Sequence, residues 1–109
     1  MNHQLTALLC GTVLAVGFST SAMAAGDAEK GSSLAATCMG CHGIPSYTNV
    51  YPTYHVPKVG GQHADYIAAA LKAYQSGERK HPTMQAQAAS LSDQDMADIG
   101  AYFASFKAK

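Results

Sequence analysis

Two cysteines two residues apart, with a histidine directly after them, constrain this chain more than any other feature: Cys38-Met39-Gly40-Cys41-His42. The third cysteine, Cys10, lies in an apolar leading segment that reads as removable, so these two are what the finished chain keeps. Exported cysteines usually pair to close long loops, and a bridge over two intervening residues closes almost nothing. The pair therefore has a use other than a structural disulfide.

The leading segment explains why export is expected. Leu5 to Phe18 carries no charge, Ser19-Thr20-Ser21 follows, and Ala22-Met23-Ala24 supplies a small-x-small cleavage site. That is the layout of a secretory signal peptide over residues 1–24, leaving a single domain over 25–109. The apolar run is shorter than the roughly 18 to 20 residues that span a bilayer, so no membrane span is expected after cleavage. Its positive region is weak, since only His3 and the terminal amine precede the apolar run. Cys10 is no lipoprotein cysteine: Ala7-Leu8-Leu9 precede it and most of the apolar run follows it. The destination is the periplasm.

Cleavage leaves about 85 residues, enough for one modest core that ordinarily needs a staple. The seven acidic and seven basic residues all follow residue 24 and cancel. Nothing in this balance favours nucleic acid or an anionic membrane as a partner.

Three helical stretches can be read, joined by irregular chain, with no alternating strand pattern or repeat. The first runs from about Asp27 to Cys38, with Ala28, Gly31, Leu34, Ala35 and Cys38 at helical spacing. In the second, Ile67, Ala70, Leu71 and Tyr74 share a face, Asp65 sits in the opening turn and Gly77 supplies a left-handed stop. The third begins at Ser92, with Asp95 completing a capping box and Leu91 stapling onto Met96; its stripe continues through Ile99, Tyr102, Phe103 and Phe106. Between Gly43 and Ala64, Pro45, Pro52, Pro57, Gly60 and Gly61 mark loop. Loops this long in so short a chain point to a non-protein group that organises them.

Cys-x-x-Cys-His is the attachment pattern of c-type haem: the two thiols add to the haem vinyl groups and the adjacent histidine lies under the iron. A thioredoxin-like redox pair would sit near a βαβ unit, and a zinc knuckle would need a second Cys or His pair. Neither companion is found. One covalent haem c with its iron is therefore the expected cofactor, held by Cys38, Cys41 and His42.

At this point the chain resembles the small bacterial class I cytochromes c, in particular the module found singly or in tandem in periplasmic cytochromes. The likeness rests on Gly31, on Cys38 to Gly43, on Pro57-Lys58-Val59-Gly60-Gly61-Gln62, on Tyr66 through Gly77 with Arg79, on Met84, and on Leu91 through Phe103. It implies an all-α class I cytochrome c fold, three main helices with long loops wrapped around one covalent haem. It also implies that the backbone carbonyl of Pro57 receives the second ring N–H of His42; read blandly, Pro57 is a loop stiffener. Gly60 and Gly61 would let backbone pass close to the porphyrin. Gly31 with Tyr102 and Phe103 resembles the family's crossing of first and last helices.

The sixth iron ligand must come from among Met84, Met96, Met39, His55, His63 and His81. Met39 lies between the anchoring cysteines, on the wrong side of the ring, and Met96 belongs to the third helix's apolar stripe. Met84 follows His81-Pro82-Thr83 in what reads as irregular chain, where no helical period asks for methionine, and it matches the family's ligand methionine in position. The residue reading alone leaves it against a flexible gap-filler, with His81 the next candidate. Histidine plus methionine raises the reduction potential relative to two histidines. That suits a one-electron carrier of a respiratory chain, fed by a quinol-oxidising complex or a dehydrogenase and drained by a terminal oxidase or reductase.

No Ser-His-Asp set, paired-carboxylate site or phosphate loop argues for an enzyme. Two other roles share the same residues: an electron-entry subunit of a periplasmic dehydrogenase complex, and a haem sensor with an open sixth position. With 13% charged residues against about a quarter in a typical domain, docking onto redox partners is expected to be brief and weakly steered, and the chain to be a monomer or weak dimer. Tyr47, Tyr51 and Tyr54 interleave with Pro45, Pro52 and His55 in an uncharged loop, and either cover the haem edge, form a docking patch, or pack on one another.

Overall fold

A computed structural model of the protein describes Gly17 and residues 25–107. Apart from Gly17, the leader expected over residues 1–24, and its cleavage after Ala24, lie outside the described residues. Five helices and one short hairpin follow in order: α1 (Ala28–Leu34), α2 (Ala36–His42), β1 (Thr48–Val50), β2 (Thr53–His55), α3 (Ala64–Ser76), α4 (Pro82–Ala88) and α5 (Asp93–Ala104). None of the helices among the described residues is long and apolar enough to cross a membrane.

Asp27 starts α1, its carboxylate accepting from the N–H groups of Glu29 and Lys30. The helix expected to continue to Cys38 instead breaks at Ala35, where ψ is 0° rather than helical. Cys38 N–H and Met39 N–H both turn to the Ala35 carbonyl, at 2.9 and 3.1 Å, and the chain resumes as α2 on a new axis. Ala35 is fully buried, so the turn sits against the core and re-aims the helix that carries both cysteines and His42.

The second and third expected helices stand nearly as read. Gly77 ends α3 with φ 83°. Ser92 and Asp95 form the reciprocal capping box of α5, at 3.0 and 2.9 Å. Ile67 and Leu71 of α3 meet Met96, Ile99 and Phe103 of α5 in one buried cluster with Ala35 and Ala88. The Gln75 side-chain amide donates to the carbonyls of Ala88 at 3.0 Å and Leu91 at 2.7 Å, tying α3 to the turn between α4 and α5.

Helices α1 and α5 cross at Gly31. A Cβ there would land on the carbonyl of Asp98 and 2.9 Å from the Cβ of Tyr102, so only glycine admits this approach. Buried Asp98 then closes the contact from the other side: its carboxylate accepts from the Asp27 N–H at 2.7 Å and from the Gln94 amide at 2.9 Å. The bond to the Asp27 backbone, seconded by Gln94, holds this carboxyl below its ordinary range.

Two segments read as loop are structured. Thr48–Val50 and Thr53–His55 pair antiparallel, a hairpin of three-residue strands too brief to show alternation. The stretch holding Met84 is not irregular chain but helix α4: Pro82 takes the first helical position, where its missing N–H costs nothing, and His81 caps it. Gly60 also departs from expectation. It lies against the ring of Phe106, 2.6 Å from a Cβ placed there, rather than on the cavity wall.

Candidate cofactor site

Between α2, the hairpin, α3, α4 and α5 lies a cavity of about 470 Å³, within the range that small-molecule and cofactor sites occupy. Ile67, Leu71, Ile99 and Phe103 form its apolar back wall. Cys38, Cys41 and His42 line one side and Met84 lines it from α4. The sequence separates Met84 from His42 by more than forty positions, and the fold brings them onto one space.

His42, the last residue of α2, has its Nδ1 2.7 Å from the carbonyl oxygen of Pro57. A carbonyl can only accept, so Nδ1 carries the proton and donates. With Nδ1 engaged as the donor, Nε2 is the ring nitrogen left to meet a metal. Cys38 and Cys41 are half-buried free thiols. Burial pushes the Cys38 thiol up, partly offset by a hydrogen bond from Thr37.

Met84 is half-buried, packs against the core and lines the cavity. Its backbone N–H donates to Nδ1 of His81 at 3.4 Å, the cap of its helix. Among the described methionines it is the one on the cavity wall; Met96 is buried in the core and Met39 packs against it. Of the alternative histidines, His55 and His81 line the cavity and His63 does not. His55 is engaged with the Thr48 hydroxyl at 2.9 Å, and His81 with Met84 and the ring of Tyr54 at 4.7 Å.

Pattern reading missed the packing of the tyrosine loop. Tyr54 is half-buried, edge-on to His81, with its hydroxyl donating to Thr83 at 3.4 Å, whereas Tyr51 at the hairpin tip is 92% exposed. The His-Pro start signal of α4 was the available clue, because it places His81 and Thr83 at a helix end facing the loop.

The donor set fits a haem: two thiols, a fixed imidazole with one free nitrogen and a thioether, all on one largely apolar space. Such a helical shell is that of a protein wrapped around a covalently tethered planar group. The chain belongs to the cytochrome c family, whose family model matches residues 28–107, and is a small bacterial class I c-type cytochrome with covalently bound haem c and its iron.

It is 40% identical to cytochrome c4 of Pseudomonas aeruginosa, over 98% of this chain and 50% of that protein. With cytochrome c4 of Stutzerimonas stutzeri the identity is 37%, over 98% of this chain and 52% of the relative. Cytochrome c-554(548) of Halomonas halodenitrificans is 42% identical over 74% of this chain and 98% of its own length. The chain thus spans about half the length of the cytochrome c4 relatives it matches.

Proposed function

We propose that this chain is a periplasmic one-electron carrier rather than an enzyme, exported by cleavage after Ala24. Cys38 and Cys41 form the haem thioethers, and His42 and Met84 are the axial ligands. The observation that carries the reading is the 2.7 Å contact from His42 Nδ1 to the Pro57 carbonyl, which orients the imidazole and fixes its tautomer before any metal is bound. Haem supplies reversible one-electron exchange between its ferric and ferrous states.

The chain's own residues do the rest. The back wall of Ile67, Leu71, Ile99 and Phe103 keeps water from the site. Capping by His81 holds the Met84 backbone, so the thioether approaches from a fixed helix rather than from a mobile loop. Filling both axial positions leaves no place for substrate, which supports transfer through the exposed edge. A quinol-oxidising complex or a dehydrogenase fits as donor, and a terminal oxidase or reductase as acceptor.

The test is the absorption spectrum of the protein purified from periplasm. The weak long-wavelength ferric band that reports a methionine sulfur on iron should be present in wild type and in Met96→Ala and absent in Met84→Ala. A high-spin ferric wild type that binds carbon monoxide rapidly when reduced would refute six-coordination and favour the sensor role.

A further inference from the structure

One short segment of the chain reaches both sides of the cavity. Pro57 presents its carbonyl to Nδ1 of His42 at 2.7 Å. Three residues earlier, Tyr54 reaches toward α4: its ring stands edge-on to His81, centroids 4.7 Å apart at 84°, and its hydroxyl donates to Thr83 at 3.4 Å. His81 is the cap and Thr83 the second residue of α4, the helix that carries Met84. Residues 54–57 therefore touch the mounts of both proposed axial ligands.

Helix α4 needs a contact at that end. A helix of seven residues has no stability of its own. Its far end is fixed, because Ala88 is fully buried and its carbonyl accepts from the Gln75 amide of α3 at 3.0 Å. At its start the cap is long: the Met84 N–H meets Nδ1 of His81 at 3.4 Å. The His81 ring is braced by aromatic neighbours, Tyr54 at 4.7 Å and Tyr74 at 6.5 Å, both edge-on. The Arg79 guanidinium, 4.6 Å from the Tyr74 centroid, closes the row.

Tyr54 is a fixed post because its hairpin is held from within. It pairs with Asn49 across the ladder. The Thr48 hydroxyl lies 2.9 Å from Nδ1 of His55, the Val56 N–H donates to the Tyr47 carbonyl at 2.9 Å, and the Asn49 amide donates to the Pro52 carbonyl at 2.9 Å. Tyr54 is half-buried on the cavity wall, whereas Tyr51 at the tip of the same hairpin lies outside it.

We propose that the ring of Tyr54 is a latch, holding the start of α4 to the hairpin and thereby keeping Met84 on the iron. It is a positioning residue, acting through His81 and Thr83. The latch rests on Met84 being the sixth ligand, as proposed above. A small competing ligand binds only to molecules whose Met84 has moved away, so its apparent affinity scales with that open fraction. Loss of one aromatic edge contact raises the fraction about 2- to 10-fold.

The experiment titrates ferric holoprotein with imidazole and follows the loss of the methionine-sulfur band, in wild type, Tyr54→Ala, Tyr54→Leu, Tyr54→Phe and Tyr51→Ala. The latch expects imidazole to bind about 2- to 10-fold more tightly to Tyr54→Ala and Tyr54→Leu. Tyr54→Phe keeps the ring and loses only the long hydroxyl contact, so it stays within about twofold of wild type, and Tyr51→Ala is unchanged. Wild-type affinity in Tyr54→Ala and Tyr54→Leu overturns the latch; so does an equal gain in Tyr51→Ala, the mark of a loosened hairpin, or in Tyr54→Phe. In ferrous wild type, which needs no variant to fold, nuclear Overhauser contacts should join the ring protons of Tyr54 and His81, and their absence also overturns it. If the wild-type band is missing, or survives in Met84→Ala, the ligand reading fails and the latch with it; if the band depends on Met84 and the imidazole affinities are equal, only the latch fails.

Discussion

Replacing Gly31 with alanine sets two opposed effects against each other. Away from contacts, Gly→Ala inside a helix stabilises by about 1 kcal/mol. At Gly31 the new methyl would fall on the Asp98 carbonyl and 2.9 Å from the Tyr102 Cβ, so α1 and α5 must move apart. Overpacking of this kind costs about 1 to 3 kcal/mol. The separation also stretches the 2.7 Å bond from the Asp27 N–H to the Asp98 carboxylate, and hydrogen bonds to charged groups contribute about 1.5 to 3 kcal/mol. Offset by propensity, the net loss should be about 1.5 to 5 kcal/mol. For a domain of this size that lowers Tm by at least about 6 °C. Thermal unfolding of the ferric holoprotein, followed by far-ultraviolet circular dichroism, measures it. A Tm equal to or above that of wild type would refute the claim that this crossing requires glycine.

Asp98 should make stability acid-sensitive. Its carboxyl is held below the ordinary range by the Asp27 N–H first and Gln94 second, so its contribution is complete above the unfolded-state value of about 3.9 and fades as pH falls through the lower folded value; denaturant midpoints of Asp98→Asn should show a shallower loss than wild type below about pH 4. Gln75→Leu leaves the Ala88 and Leu91 carbonyls without their donor and should cost about 1 to 3 kcal/mol in chemical unfolding, with the spectrum of the haem unchanged. Pro57→Ala keeps the carbonyl that receives the His42 proton, so the methionine-sulfur band should persist while stability drops by only about 0.4 to 1 kcal/mol, the contribution of a rigid loop position.

What could be read from the sequence divides along a physical line. Ser92, Asp95 and Gly77 announce helix ends through their own backbone bonding, so α5 and the end of α3 were legible. Cys38, Cys41 and His42 stand out in the sequence by their spacing alone, and the structure sets all three on the wall of one cavity. The break at Ala35 was not legible, since nothing in Leu34-Ala35-Ala36 disfavours helix, and the turn sits at a residue whose full burial is a property of the whole fold. The hairpin was missed because three-residue strands are too short to display a period. Helix α4 carried a readable Pro82 start that the surrounding polar residues obscured, so the segment holding Met84 was read as irregular chain. The row of Tyr54, His81, Tyr74 and Arg79 joins three separate segments, and no local pattern announces it.

The contact between Asp27 and Asp98 bears on how fast the chain can assemble. It joins residues 71 apart, and closing a flexible loop of that length costs roughly 4 kcal/mol of chain entropy. An iron shared by His42 and Met84, as proposed, would cross-link the middle of that loop and leave only about 30 residues of free path between the two ends, lowering the closure cost by somewhat under 1 kcal/mol. The terminal helices would then meet faster in the loaded chain than in the bare one, so the group that moves electrons also acts as a splint for the search.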